Sequence, residues 1–231
     1  MNARTVLLGF AIVLTTVVAG IPIGSAADAA TRDPSATLPT LTELRSARIK
    51  LSDLPGSYRR DYSPDDESSS TSSSDDPECS RKLADLNSDD NDSTAPRKAQ
   101  SKFRLDRTTG PFVSSALGAW RTKAPAVDGL QAFRSLLRSC DRWTETDTDG
   151  TRATVRLSRL PMPALGSDRI AFRARITVRQ GALALSAHAD LAVVRVRNAV
   201  TLISVASFGA ADGVNLVDLA RLSTSRLRAV A

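Results

Sequence analysis

Between residues 170 and 191 the chain reads IAFRARITVRQGALALSAHADL, and its apolar positions recur at every second residue. Ile170, Phe172, Ala174, Ile176 and Val178 alternate with Ala171, Arg173, Arg175, Thr177 and Arg179, the period of a strand buried on one face. Gln180-Gly181 supplies a two-residue turn, with glycine providing the positive φ such turns need. That turn sets Val178 opposite Leu183, Ile176 opposite Leu185, Phe172 opposite Ala189 and Ile170 opposite Leu191. On the polar face it sets Arg175 opposite Ser186 and Arg173 opposite His188, with Asp190 close by. A one-residue slip would place arginines against leucines, so the assignment of faces is strongly specified.

The same reading extends along the chain. Residues 41–54 carry Leu41, Leu44, Arg48 and Leu51 near helical spacing and predict one short helix, closed by Pro55-Gly56. Leu83 and Leu86 predict a second over 79–86. Phe103-Arg104-Leu105 and residues 112–120 read as extended, the latter apolar or small on both sides. Leu130, Phe133, Leu137 and Cys140 form one stripe of a helix that Asp128 can cap. Residues 151–160 predict a strand with one wet face, ended by Pro161-Met162-Pro163. After Leu191 the alternation changes phase, which a β-bulge near Val193-Val194 would absorb. Asn198-Ala199 reads as the next turn. Residues 200–208 read as a strand covered on both faces, and Asn215 can cap a helix over 216–227. The sum is an α+β fold: an antiparallel β-sheet meander with helices packed on one face.

The chain's address changes how its cysteines are read. Arg4 precedes an apolar run over residues 6–18, followed by Ser25-Ala26-Ala27, a small-residue cleavage site. Residues 1–27 are expected to be a signal peptide, and the Ala/Thr/Pro-rich residues 28–40 a tether. An uncleaved anchor is the alternative. The protein is therefore expected to be secreted or otherwise extracytoplasmic, in the cell envelope. Cys79 and Cys140 are the only cysteines, and an oxidising compartment allows them to bridge. Residues 41–231 are expected to form one domain, interrupted by an acidic Ser-rich loop at 63–78 too poor in apolar side chains to order itself. Asp89, Asp90, Asn91 and Asp92 lack the glycine and distal glutamate of a calcium loop, so they read as a solvated segment.

Charge is unevenly spread. Residues 61–95 hold eleven acidic and two basic side chains, whereas residues 96–231 hold 22 basic and ten acidic ones. For an extracytoplasmic protein the anionic partners such a balance fits are envelope polymers or membrane head groups rather than nucleic acid. Arg156, Arg169, Arg173 and Arg175, with His188 and Asp190, could line a groove, since arginine forks match carboxylate and phosphate. Ser186, His188 and Asp190 invite a hydrolase reading, but alternate residues of one strand project side by side, some 6–7 Å apart at about 3.3 Å per residue. No G-x-S-x-G elbow, phosphate-cradling glycine loop or H-E-x-x-H occurs, and no cofactor or metal ligand set is evident.

The order of these pieces resembles the PknH-like extracellular (sensor) domain family of actinobacteria, as a stand-alone secreted member. The matching residues are Leu51-Ser52-Asp53-Leu54-Pro55, then Cys79 with Leu83 and Leu86. Next come Ala132-Phe133-Arg134-Ser135-Leu136-Leu137 leading to Cys140, then Val194-Arg195-Val196-Arg197-Asn198, and last Leu219-Ala220. The resemblance spans about residues 49–228. It implies a central antiparallel sheet and an exposed cleft for an unknown ligand, and it supplies no catalytic residues. This chain has one cysteine pair where the receptor's domain carries two. The expected function is ligand binding of a sensor type, without catalysis. A hydrolase whose site forms only in the fold, or a basic surface binding anionic polymers or lipids, are the alternatives.

Overall fold

The computed structural model describes residues 38–62, 72–87, 95, 97–208 and 214–231. The expected signal peptide, most of the tether, residues 63–71 of the acidic loop and the Asp89–Asp92 run lie outside the described residues. No helix among the described residues is long and apolar enough to cross a membrane.

The elements are α1 (Leu41–Ala47), a 3-10 turn (Leu51–Asp53), β1 (Arg59–Arg60), β2 (Ser72–Ser74) and α2 (Pro77–Asn87). Then follow β3 (Arg97–Arg104), β4 (Phe112–Ala119), α3 (Ala124–Ser139), β5 (Arg142–Asp147), β6 (Arg152–Arg159), β7 (Asp168–Gln180), β8 (Leu183–Val196), β9 (Ala199–Ser207) and α4 (Leu216–Val230). All nine strands join one antiparallel sheet in the order β1-β3-β4-β9-β8-β7-β6-β5-β2. The α+β class and the antiparallel meander are as the pattern predicts.

The helices, however, cover both faces. On one face α2 and α3 pack against Phe172, Ala174, Ile176, Leu191, Val193 and Leu202. Leu130, Phe133 and Leu136 of α3 are buried there, and Phe133 stacks obliquely on Phe172 with ring centroids 5.9 Å apart. On the other face α4 lays Leu216, Leu219 and Ala220 on Ala171, Ala192, Val194 and Ile203, while its Leu227 meets α1 through Leu44 and Ala47. Placing both long helices on one face is thus corrected. The physical reason is β9, apolar on both sides and buried along its whole length: a two-sided strand needs two covers.

The cystine Cys79–Cys140 joins α2 to the end of α3, with the two residues 2% and 1% exposed. It staples the two helices of one face to each other.

Other local expectations are revised. The β7–β8 hairpin turns at Gly181-Ala182, with Gly181 at φ +57, so Val178 faces Leu185 and Phe172 faces Leu191. The shift from the expected pairing is two residues, which preserves both faces. No bulge interrupts it: one register runs from Gln180↔Leu183 to Asp168↔Arg195. The change of phase after Leu191 comes instead from burial of Leu191, Ala192, Val193 and Val194 together, where α4 begins to cover the second face. The next turn is at Arg197-Asn198 rather than Asn198-Ala199. α3 starts before Asp128, with Pro125 in its first turn, where a missing N–H costs nothing. Residues 41–54 form a helix and a separate 3-10 turn, and Ser72–Ser74, within the expected acidic loop, forms an edge strand on β5.

Candidate functional site

The long β7–β8 hairpin reaches beyond the end of β9, and α4 begins over this boundary. Asn215 makes that start abrupt: its backbone is extended, and its Oδ1 accepts hydrogen bonds from the N–H groups of Val217, at 2.8 Å, and Asp218, at 3.4 Å. Across from the helix start, Leu160-Pro161 leaves β6, tied to the sheet by Leu160 N–H donating to the Ala171 carbonyl at 2.9 Å. Between these walls lies a cleft of about 530 Å³, floored by Arg173, His188 and Asp190 and flanked by Val214, Leu216 and Val217.

The floor is an organised polar set. Arg173 faces Asp190 across the hairpin and grips it in two bonds, Nε to Oδ1 at 2.6 Å and Nη2 to Oδ2 at 2.7 Å. His188 sits half-buried one pair further on, with Nε2 3.4 Å from the Ser207 hydroxyl on β9. Burial holds its imidazole below the ordinary histidine range. Asp190 pulls the value back up, while Arg173 and Arg175 add to the lowering. The floor therefore offers a neutral imidazole and an internally compensated ion pair among apolar walls, suited to orienting a small molecule by hydrogen bonds.

Of the six residues singled out from sequence, three meet in the cleft: Arg173, His188 and Asp190. The expected Arg173–His188 pairing gives way to Arg173–Asp190 and Arg175–His188, a result of the two-residue change in register. Arg156, Arg169 and Arg175 are not part of the cleft lining. Arg169 is exposed and donates from Nε to the Met162 carbonyl at 3.3 Å. Arg175 and Arg156 face each other on β7 and β6, exposed on the sheet face in front of the cleft.

Ser186, His188 and Asp190 do not converge. The Ser186 hydroxyl bonds Thr177 at 3.1 Å, and Asp190 is held by Arg173. Leu160, Pro161 and Val214–Val217 had no sequence signal as site residues, because apolar cleft walls look like any other apolar loop. Ser207 closes an apolar strand, and only its pairing with His188 brings it to the site.

No family model and no curated relative matches the chain. Among solved structures it is similar to the crystal structure of the extracellular domain of PknH from Mycobacterium tuberculosis. The TM-score is 0.51 at 10% sequence identity, over 84% of this chain and 96% of that one. The likeness is one of fold.

Proposed function

We infer that the protein is an extracytoplasmic ligand-binding domain of sensor type that performs no catalysis itself. The observation that carries this reading is the cleft at the start of α4, where Arg173, Asp190 and His188 present fixed polar groups between apolar walls. Such a mixture suits a small amphipathic molecule, its polar group bound by the floor and its apolar part against Leu160, Val214 and Val217. The cystine supports an oxidising compartment, as does the N-terminal pattern of residues 1–27. The shared fold with an extracellular domain points the same way.

A panel of small amphipathic carboxylates and amines, screened by NMR on isotopically labelled protein, tests the reading. Binders should shift the amides of residues 214–217 and the ring of His188. Val217→Trp, which fills the mouth, should remove those shifts while leaving Tm unchanged. Shifts scattered over the surface, or indifferent to Val217→Trp, would count against the cleft. Turnover of ester or phosphoester substrates that disappears in His188→Ala would overturn the non-catalytic part.

A further inference from the structure

Beyond the end of β9 the sheet narrows to a tongue made of β8, β7, β6 and β5, with the short β2 at its outer edge. One face lies under α2 and α3, and the other carries rows of side chains aligned across the strands. The first row is Arg142, Arg156, Arg175 and His188; each is directly opposite the next. The second is Thr144, Thr154, Thr177 and Ser186, all hydroxyls. The third contains Arg152 opposite Arg179. Neighbouring strands lie about 4.8 Å apart and alternate residues about 6.6 Å apart, so the face is a grid of guanidinium and hydroxyl rows.

Like charges set directly opposite each other destabilise a sheet. One pair away, Arg173 has its aspartate; Arg142, Arg152, Arg156, Arg175 and Arg179 are exposed and have no ion-pair partner among the described residues. Of the acids along these strands, Asp190 is already engaged by Arg173, Asp75 at the β5 edge accepts from the Thr144 N–H, and Asp149 in the β5–β6 turn accepts from Gln180. Among the described residues this repulsion is left uncompensated, and an anion supplied from outside would relieve it.

We propose that this face binds a linear acidic polysaccharide, its carboxylates on the two arginine rows and its hydroxyls on the threonine and serine row between them. Guanidinium forks match carboxylates in two bonds, which a lone ammonium cannot do. The Thr177–Ser186 pair, at 3.1 Å, holds its hydroxyls in place while leaving further donor and acceptor capacity toward solvent, and Thr154 is steadied by the buried Thr144 at 3.2 Å. Two other anionic partners fit less well. Nucleic acid would call for exposed aromatic side chains to stack its bases; these rows hold no Phe, Tyr or Trp, and their one ring, His188, is half-buried in the cleft floor beside Ser207. A bilayer would call for an apolar side chain to insert. The exposed apolar residue of the hairpin, Leu183 at 52%, shares the opposite face with Leu185 and Leu191. This surface is separate from the cleft and does not depend on it.

The test uses the whole protein with an oligogalacturonate, its neutral methyl ester, phosphatidylglycerol vesicles and a single-stranded oligonucleotide as probes. The oligogalacturonate should bind at low ionic strength and weaken as salt passes about 0.1 M, where screening reaches about 10 Å. Arg156→Ala and Arg175→Ala should each weaken it roughly tenfold, the size of one charge-assisted contact. Both variants should keep the wild-type Tm or exceed it, since each removes a repulsive pair. Val217→Trp should leave polymer binding intact, which separates this result from the fate of the cleft reading. Equal binding of the methyl ester, indifference to the arginine variants, or preference for vesicles or oligonucleotide would overturn the proposal.

Discussion

Arg173 and Asp190 stand opposite each other on β7 and β8 and close a two-pronged ion pair on the floor of the cleft. Their side chains keep 38% and 19% of their exposure, so solvent screens the pair only in part. A double-mutant cycle over Arg173→Ala and Asp190→Ala in urea should give a coupling of about 1 kcal/mol, the upper end for a partly exposed pair with good geometry. A coupling near zero would mean that the pair contributes orientation without stability.

His188 should report the electrostatics of the cleft. Its imidazole lies below the ordinary value of 6.5, chiefly through burial. Asp190→Asn should lower it further, and Arg175→Ala should raise it, as followed by NMR titration of the ring protons. The unfolded chain keeps the ordinary value, so protonation favours unfolding. The stability contribution is complete above about 6.5, falls as pH drops toward the folded value, and levels off below it. His188→Gln should flatten that part of the profile.

Asp53 should govern acid stability. Arg226 of α4 reaches it in two bonds, at 2.6 and 2.8 Å, and so clamps the 3-10 turn to the helix. The Arg226 hydrogen bonds hold the Asp53 carboxyl below its usual 3.8, against the opposing effect of burial. A depressed carboxyl contributes stability above the unfolded value, and that contribution is lost as pH falls through the folded value, below 3.8. Asp53→Asn should cost about 2 kcal/mol near neutrality, and the difference from wild type should shrink in strong acid. Urea melts at several pH values measure both.

The cystine should be a large single contributor to stability. It closes a loop over a sequence separation of 61 residues, for which chain-entropy reasoning gives about 4 kcal/mol. Because both sulfurs are buried, dithiothreitol should act slowly on the native protein and quickly in urea. The double substitution Cys79→Ala, Cys140→Ala should lower the urea midpoint accordingly; an unchanged midpoint would remove the cystine from the stability account.

Sequence patterning located the β7–β8 hairpin and its two faces, yet missed its register by two residues. A period-2 pattern determines facing only modulo two, and both Gln180-Gly181 and Gly181-Ala182 are plausible turns around the same glycine. The expected pairings therefore kept Arg173, His188 and Asp190 on one face while assigning the wrong partners. Ser72–Ser74 was invisible because pairing with β5 uses backbone groups, to which side-chain composition is a poor guide. The cap at Asn215 was legible, since a side-chain acceptor before an apolar run is a local signal. Which face α4 would cover was not, because that depends on which of two apolar surfaces α3 has already taken.

The strand order also has a consequence for how the chain folds. From β5 to β9 each strand pairs with its sequence neighbour, so these contacts close short loops and cost little chain entropy. Pairing β4 with β9 must bring Phe112 to Ala206, and β1 and β2 end at opposite edges of the sheet. The late strands should therefore assemble first and serve as the template on which the earlier half of the chain docks. Conservative truncations such as Ile176→Val should slow folding, whereas truncations at Tyr58 or Leu83 should chiefly speed unfolding. During synthesis β4, with β3 and β1 beside it, then waits for β9, the last strand made, before it can join the rest of the sheet.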